Sequence, residues 1–300
     1  MRLAIHRENG QTFPVMLKTR SARETQPIFM ADIRSLFSVN PPENIFSLRT
    51  LLPKLCDSKW CAECEANFDQ FPQVNHTNFC PTSPVCDSVK ILCVGLNYRD
   101  HAQECHQSIP SQPVWFNKLP TSLCGPNDTI EVPSVVEFAD YEAELVVVIG
   151  RGGRNIPLDE AFSHIAGYTC GNDVTARDWQ FGRPGGQWFA GKTFDTFAPL
   201  GPVLVTPNEL MNPMQLSIEC RVNGIQCQHS QTSQFIFPID FLIHEISQVC
   251  TLEPGDLIYT GTPPGIGHAR KPPVPLATGD VVEVEIEGIG VLRNLVNCAK

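Results

Sequence analysis

The stretch DYEAELVVVIG, residues 140–150, decides how this chain is read. Leu145 to Ile149 are all aliphatic and rich in β-branched valine, which marks a buried strand. Two acids, Glu142 and Glu144, stand two apart at its entrance. Alternate side chains of an extended chain face the same way, so their carboxylates sit close together. Two ionised carboxylates beside a core repel each other and are costly unless a cation neutralises them.

A second apolar run, IAGYTCGND at 165–173, reads as another strand and ends in Asp173, where the helical pattern VTARDWQ begins. Glu142, Glu144 and Asp173, with no histidine or cysteine as a sequence neighbour of the pair, form a hard oxygen donor set. That set suits Mg, with Mn or Ca as alternatives, rather than Zn. In the competing reading the two glutamates lie on a solvated edge and Asp173 caps a helix. Spacing alone leaves both open.

Around these two runs the pattern stays β-rich. VKILCV, VWF at 114–116, TIEVP at 129–133, DLIY, VVEVEIEG and GVLRNLV read as strands, and Asn223-Gly224 in LSIECRVNGIQCQ signals a hairpin. GLNYRDHAQECH reads as a turn opening a short helix. Ile239, Leu242, Ile243, Ile246 and Val249 form one helical apolar stripe, with Asp240 as its expected cap. Many strands and about four helices, in an order that is not a repeating βαβ, predict an α+β fold: a mixed, mostly antiparallel rolled sheet with peripheral helices. GRPGGQ, 182–187, reads as a mobile loop by composition.

Residues 1–86 differ in texture, with scattered prolines and five cysteines between Cys56 and Cys86, and predict a small N-terminal domain ahead of a catalytic domain at 87–300. Cys61 and Cys64 are spaced CxxC, and Cys56, His76, Cys80 or Cys86 could complete a zinc site. The second half lacks a matching spacing, so unliganded thiols are the favoured expectation. The chain has 300 residues, 13 cysteines and a net charge of -10 without a basic stripe, which argues against a nucleic-acid partner. Its longest apolar runs fall well short of the ~20 residues that span a bilayer. The opening MRLAIHRENGQTF has no apolar h-region and carries an acid early, so no presequence is readable. A cytoplasmic or mitochondrial protein with reduced thiols is expected.

Other polar residues stand in apolar or glycine-rich settings. His101 and Glu104, three apart on the short helix, share a face and form a candidate acid–base pair, although taken alone such a common pair reads first as ordinary charges on a surface helix. Lys118, Lys192, Arg177, Gln180 and Thr262 are candidates for binding an anion or enolate, although each alone is more often a surface side chain and only their convergence would change that. GTPPGIG lacks the Gly-Lys-Ser/Thr ending of a phosphate loop, and GRGGR at 150–154 reads as a turn.

In order, ILCVGLNYRDHAQE, FADYEAELVVVIG, GNDVTARDWQ, GKTFDTFAPLGP and GDLIYTGTPPGIG resemble the successive signatures of the fumarylacetoacetate hydrolase family. ARDWQ, GKTFDTFAPLGP and ARKPP are most similar to its domain-containing protein 2 subgroup. The resemblance implies a homodimer and one divalent ion held by Glu142, Glu144 and Asp173. It also implies an acid–base pair, His101 and Glu104, on a lid, and Lys118, Gln180, Lys192 and Thr262 on the substrate side, with Arg177 beside them. The small-molecule substrate would be a 2-oxo acid.

The reaction expected from the subgroup is enol to keto tautomerisation of oxaloacetate, with Lys192 neutralising the developing oxyanion. Hydrolysis of an acylpyruvate or fumarylacetoacetate-type C–C bond is the alternative, and oxaloacetate decarboxylation a third. A non-enzymatic reading, a zinc-bearing regulatory or interaction protein working through its cysteine-rich N-terminus, is opposed by the intact acid and His–Glu sets.

Overall fold

The computed structural model describes residues 1–19, 27–37, 47–210 and 212–299. Its centre is the strand Ala143–Ile149, every residue of which is buried. Burying each of these Val, Leu and Ile side chains contributes about 1.5–3 kcal/mol. Both edges of this strand are paired antiparallel, one with Ile165–Asn172 and the other with Leu257–Tyr259. Beyond Leu257–Tyr259 the sheet continues through a parallel pairing to Ile91–Gly95, then antiparallel to Val114–Lys118. Beyond Ile165–Asn172 it continues through Ala198–Val205 to Arg2–Glu8, Gln11–Lys18 and Phe29–Asp32.

A second sheet runs Ile225–Gln231, Ser217–Val222, Val281–Ile286, Gly290–Cys298 and Thr129–Val132. It packs against the centre of the first, so the core lies between them. The outcome is the mixed, mostly antiparallel α+β architecture that the strand pattern predicts. The hairpin forms at Asn223-Gly224, where Val222 pairs with Ile225 across a two-residue turn. Both turn residues take positive φ, 54° and 76°, which this short connection requires.

Six α-helical segments occur among the described residues, against about four expected. The extra ones include four-residue turns at Leu52–Leu55 and Phe189–Lys192 that carry no periodic signal. In the helix Ile239–Val249, Ile239, Leu242, Ile243 and Ile246 are buried as the stripe predicts. Val249 departs from it: at the last position it is 67% exposed, because the helix ends before its face meets the core again. Asp240 is not the cap either. Pro238 fixes the entry, and Asp240 sits in the first turn, where its charge suits the helix dipole.

The residue 86/87 boundary marks a change of sequence texture, and the main sheet runs across it. Arg2 and Leu3 pair with Val205 and Leu204, while Ile5 and His6 pair with Thr82 and Pro81. Cys61 and Cys64 are buried along the helix Ser58–Ala66, and the Cys56 thiol points to the carbonyls of Leu52 and Ile165. Among the described residues, none of the N-terminal cysteines joins a group of three metal-type donors.

Candidate active site

Register builds the acid cluster. Ala143 lies opposite Asn172, so the residue before one strand, Glu142, meets the residue after the other, Asp173. The Asp173 amide donates to the Glu142 carbonyl at 2.9 Å, and the Glu142 amide donates to Asn172 Oδ1 at 2.9 Å. Donor atoms of Glu142, Glu144 and Asp173 all lie within 4.8 Å of one another, and all three residues are buried. The solvated-edge reading therefore fails.

Three cations surround them. Lys192 Nζ, from the turn Phe189–Lys192, donates at 2.8 Å to both Glu142 Oε2 and Asp173 Oδ2. Arg177 Nη2 lies 2.7 Å from Glu142 Oε1, and its Nε donates at 2.9 Å to Asp140 Oδ2. Lys118 Nζ bonds Asp173 Oδ1 and the Val174 carbonyl. Burial alone would raise the Glu142 pKa, but Lys192 and Arg177 outweigh it and bring it down to about 2. Lys192 is penalised by burial yet raised by Asp173 and Glu142.

Glu144 has no such partner. Its Oε2 accepts from the Gly261 amide at 2.7 Å, while burial first, then the charges of Asp173 and Glu142, push its pKa well above the usual carboxylate range. Among the described residues, the direct ion pairs of Asp140, Glu142, Glu144 and Asp173 are with Lys118, Arg177 and Lys192. One carboxylate is left over, and a buried carboxylate without a counter-ion either takes up a proton or holds a cation. The oxygen donors and the missing positive charge both fit a hard divalent ion.

The helix Arg99–Glu104, the expected lid, carries the candidate acid–base pair. Its start is fixed by Asn97, which donates to the Thr260 and Phe237 carbonyls, and by Asp100, which accepts from Ser230 Oγ. His101 Nδ1 lies 3.1 Å from Glu104 Oε2. Burial would lower the His101 pKa, but the Cys105 and Glu104 contacts and the Glu142 charge outweigh it and raise it to about 9. The imidazole therefore holds its proton at neutral pH.

Glu104 also accepts from the Gly265 amide at 3.0 and 3.1 Å, tying the lid to the loop after Tyr259. Gly265 is required there: its φ is +107°, and a Cβ would stand 2.0 Å from the Cys227 carbonyl oxygen.

Acids and lid face one cavity of about 340 Å³, lined among others by His101, Glu104, Glu142, Glu144, Arg177, Gln180, Lys192 and Thr262. Gln180 Oε1 accepts from Arg177 Nη1 at 3.0 Å, and Thr262 Oγ1 is held between Gln228 and the Ala143 carbonyl. Lys118 differs from expectation. Its side chain is fully buried against Asp173, which is buried as well, and it does not line the cavity.

Several contributors were not picked out from sequence. Asp140 is fully buried and accepts from Arg177 and from the Gly267, His268 and Tyr141 amides. It was in view in DYE, but alternation gave it no partner. Phe116, Trp188, His268 and Lys271 also line the cavity, and Lys192 Nζ sits 4.9 Å over the Phe116 ring. Phe116 stood in the quoted VWF, and His268 and Lys271 fall in the loop after the GTPPG turn, where no periodicity points inward.

Residues 90–297 match the model of the fumarylacetoacetate (FAA) hydrolase C-terminal family. The oxaloacetate tautomerase fahd2, mitochondrial, of Xenopus laevis is 47% identical over 221 residues, covering 74% of this chain and 69% of the relative. The human oxaloacetate tautomerase FAHD2A, mitochondrial, is 47% identical over 227 residues, 76% of this chain and 72% of its own. A solved fumarylacetoacetate hydrolase of Exiguobacterium antarcticum superposes with a TM-score of 0.81 at 32% identity, covering all of both chains. The 5-carboxymethyl-2-hydroxymuconate delta-isomerase of Mycobacterium smegmatis does so at 0.76, with 32% identity and both chains fully covered. This chain belongs to the fumarylacetoacetate hydrolase family and is an enzyme.

Proposed function

We propose that this enzyme is a divalent-metal-dependent oxaloacetate tautomerase, converting the enol of a small 2-oxo dicarboxylate to its keto form. The reading rests on the relatives' names, and the observation that carries it is the single cavity shared by the His101–Glu104 pair and the under-neutralised acid cluster. Glu142, Glu144 and Asp173 would hold the ion, Mg as first choice, and bound there it supplies Lewis-acid polarisation of the substrate's 2-oxygen.

The protein's own groups account for the rest. Lys192 and Arg177 place positive charge at the cavity wall, so the enol O–H is acidified and its proton leaves to water. The resulting electron pair shifts toward C3. His101, already protonated at neutral pH, delivers its proton there, a C3–H bond forms, and water reprotonates the ring. Glu104 holds the ring in place and stabilises its charged form. Lys271 at the cavity wall adds attraction for a dianion.

The test is a parallel assay of enol-oxaloacetate ketonisation and acylpyruvate cleavage. A tautomerase accelerates the first and leaves the second near background; the reverse result transfers the site to C–C hydrolysis. Among the described residues, no helix is long and apolar enough to cross a membrane. A mitochondrial location, as in the names of the relatives, and a homodimer belong to the same proposal. Cell fractionation and analytical sedimentation test them.

A further inference from the structure

The lid carries a donor set that the proposed reaction does not use in full. His101, Glu104 and Cys105 follow one another at spacings of three and one, so all three side chains cluster at the end of the lid helix. Cys105 Sγ lies across the imidazole, 3.9 Å from Nδ1 and 3.8 Å from Nε2, while Glu104 Oε2 is 3.1 Å from Nδ1. One donor atom from each lies within 4.8 Å of the others. All three line the cavity, and both Glu104 and Cys105 are partly exposed, so an arriving ion can reach them.

We propose that His101, Glu104 and Cys105 form a second metal site, selective for a thiophilic divalent cation such as Zn²⁺, and that its occupation switches the enzyme off. Tetrahedral zinc with bonds of about 2.0–2.1 Å to nitrogen and oxygen and about 2.3 Å to sulfur sets its ligand atoms roughly 3.4–3.6 Å apart. The separations here bracket that range, and a small rotation of the Cys105 thiol about χ1 adjusts the longer one.

Three protein ligands leave the fourth position open to the cavity. The two sites differ in kind: nitrogen, oxygen and sulfur on the lid, carboxylate oxygens alone below it. Softness therefore sends Zn²⁺ to the lid and Mg²⁺ to the acids. Four other thiols, Cys93, Cys124, Cys170 and Cys220, are buried, and burial raises their pKa values, so they do not compete for the ion.

Coordination displaces one proton from the thiol and one from the imidazolium, both to solvent, with no change of oxidation state. The lid then has no proton to give to C3. This consequence, unlike the ligand set, rests on His101 being the acid of the proposed tautomerase.

The test uses the full chain with saturating Mg²⁺. Zn²⁺ is titrated against ketonisation, and Co²⁺ is added as an optical probe whose thiolate-to-metal charge-transfer band reports a sulfur ligand. Wild type is compared with Cys105→Ser in both readouts, and with Glu144→Gln in the optical readout alone, since that variant lacks the Mg²⁺ site on which ketonisation depends. The expected result is a band present in wild type and Glu144→Gln but lost in Cys105→Ser. The Zn²⁺ concentration giving half-inhibition, measured against each variant's own zinc-free rate, should rise at least about tenfold in Cys105→Ser, since even outer partners of a metal ligand are worth about 10–100-fold in affinity. No band attributable to Cys105, with equal zinc sensitivity in wild type and Cys105→Ser, overturns the site. A Cys105-dependent band without inhibition overturns the switch and the acid role of His101 while leaving the ligand set standing.

Discussion

Arg177 donates from Nε to Asp140 Oδ2 at 2.9 Å, and both side chains are buried. Asp140 therefore joins the guanidinium at the cavity wall to the loop that carries His268, whose amide it also accepts. Asp140→Asn leaves Arg177 buried with a weaker partner. Breaking such a pair costs about 3–5 kcal/mol, which urea denaturation would register. The displaced guanidinium would lower kcat/KM by about 100-fold, the scale of a small misplacement in a catalytic site.

The lid is held by a backbone contact, and that makes Gly265 sensitive. Gly265→Ala meets both the positive φ and the Cys227 carbonyl. Residues forced into such conformations cost about 1–3 kcal/mol. The loop must shift, the Glu104 contact is lost, and kcat is expected to fall by about tenfold or more with far-UV circular dichroism unchanged. An unaltered kcat would show that the lid does not depend on this tie.

His101 has its pKa raised to about 9, so the acid form needed for C3 protonation is present below that pH and lost above it. Ketonisation should fall along an alkaline limb. The sign for stability follows the same way: the raised pKa contributes fully below 6.5 and its contribution disappears as pH rises through about 9. The Glu142 charge is one of the raising influences, so a divalent ion bound beside Glu142 should move the limb to lower pH. A pH–rate profile at two Mg²⁺ concentrations reads both effects.

Among the described residues, Glu144 is the acid of the cluster that makes no ion pair. Burial pushes the Glu144 pKa well above the carboxylate range, so folding without metal must protonate it near neutral pH; Glu144→Gln removes that cost, and the metal-free protein should gain thermal stability, while the rise in Tm that Mg²⁺ gives to wild type should disappear. A Tm rise with Mg²⁺ that persists in Glu144→Gln would place the ion elsewhere.

The sequence carried the site further than spacing could decide. Glu142, Glu144 and Asp173 are legible because strand alternation and the acid at a strand end are local facts; that they meet depends on the Ala143–Asn172 register, which is not local. The His101–Glu104 pair is legible for the same reason, being one turn of one helix. Lys118 reads from sequence as a substrate-side cation, and its burial against Asp173, off the cavity wall, is not legible because β-strand alternation fixes a side but not the partner met there. Asp140 was passed over since its partners are 37 and 127 residues away. The change of composition at residue 86 is legible in sequence, whereas the pairing of Arg2 and Leu3 with Val205 and Leu204 leaves no mark on composition.

The most direct test of a metal-dependent tautomerase is the rate of enol-oxaloacetate ketonisation above the uncatalysed rate, with and without Mg²⁺, in wild type, Glu142→Ala and His101→Ala. The account predicts acceleration in wild type that requires Mg²⁺ and is lost in both variants. Acceleration that survives both substitutions would contradict it.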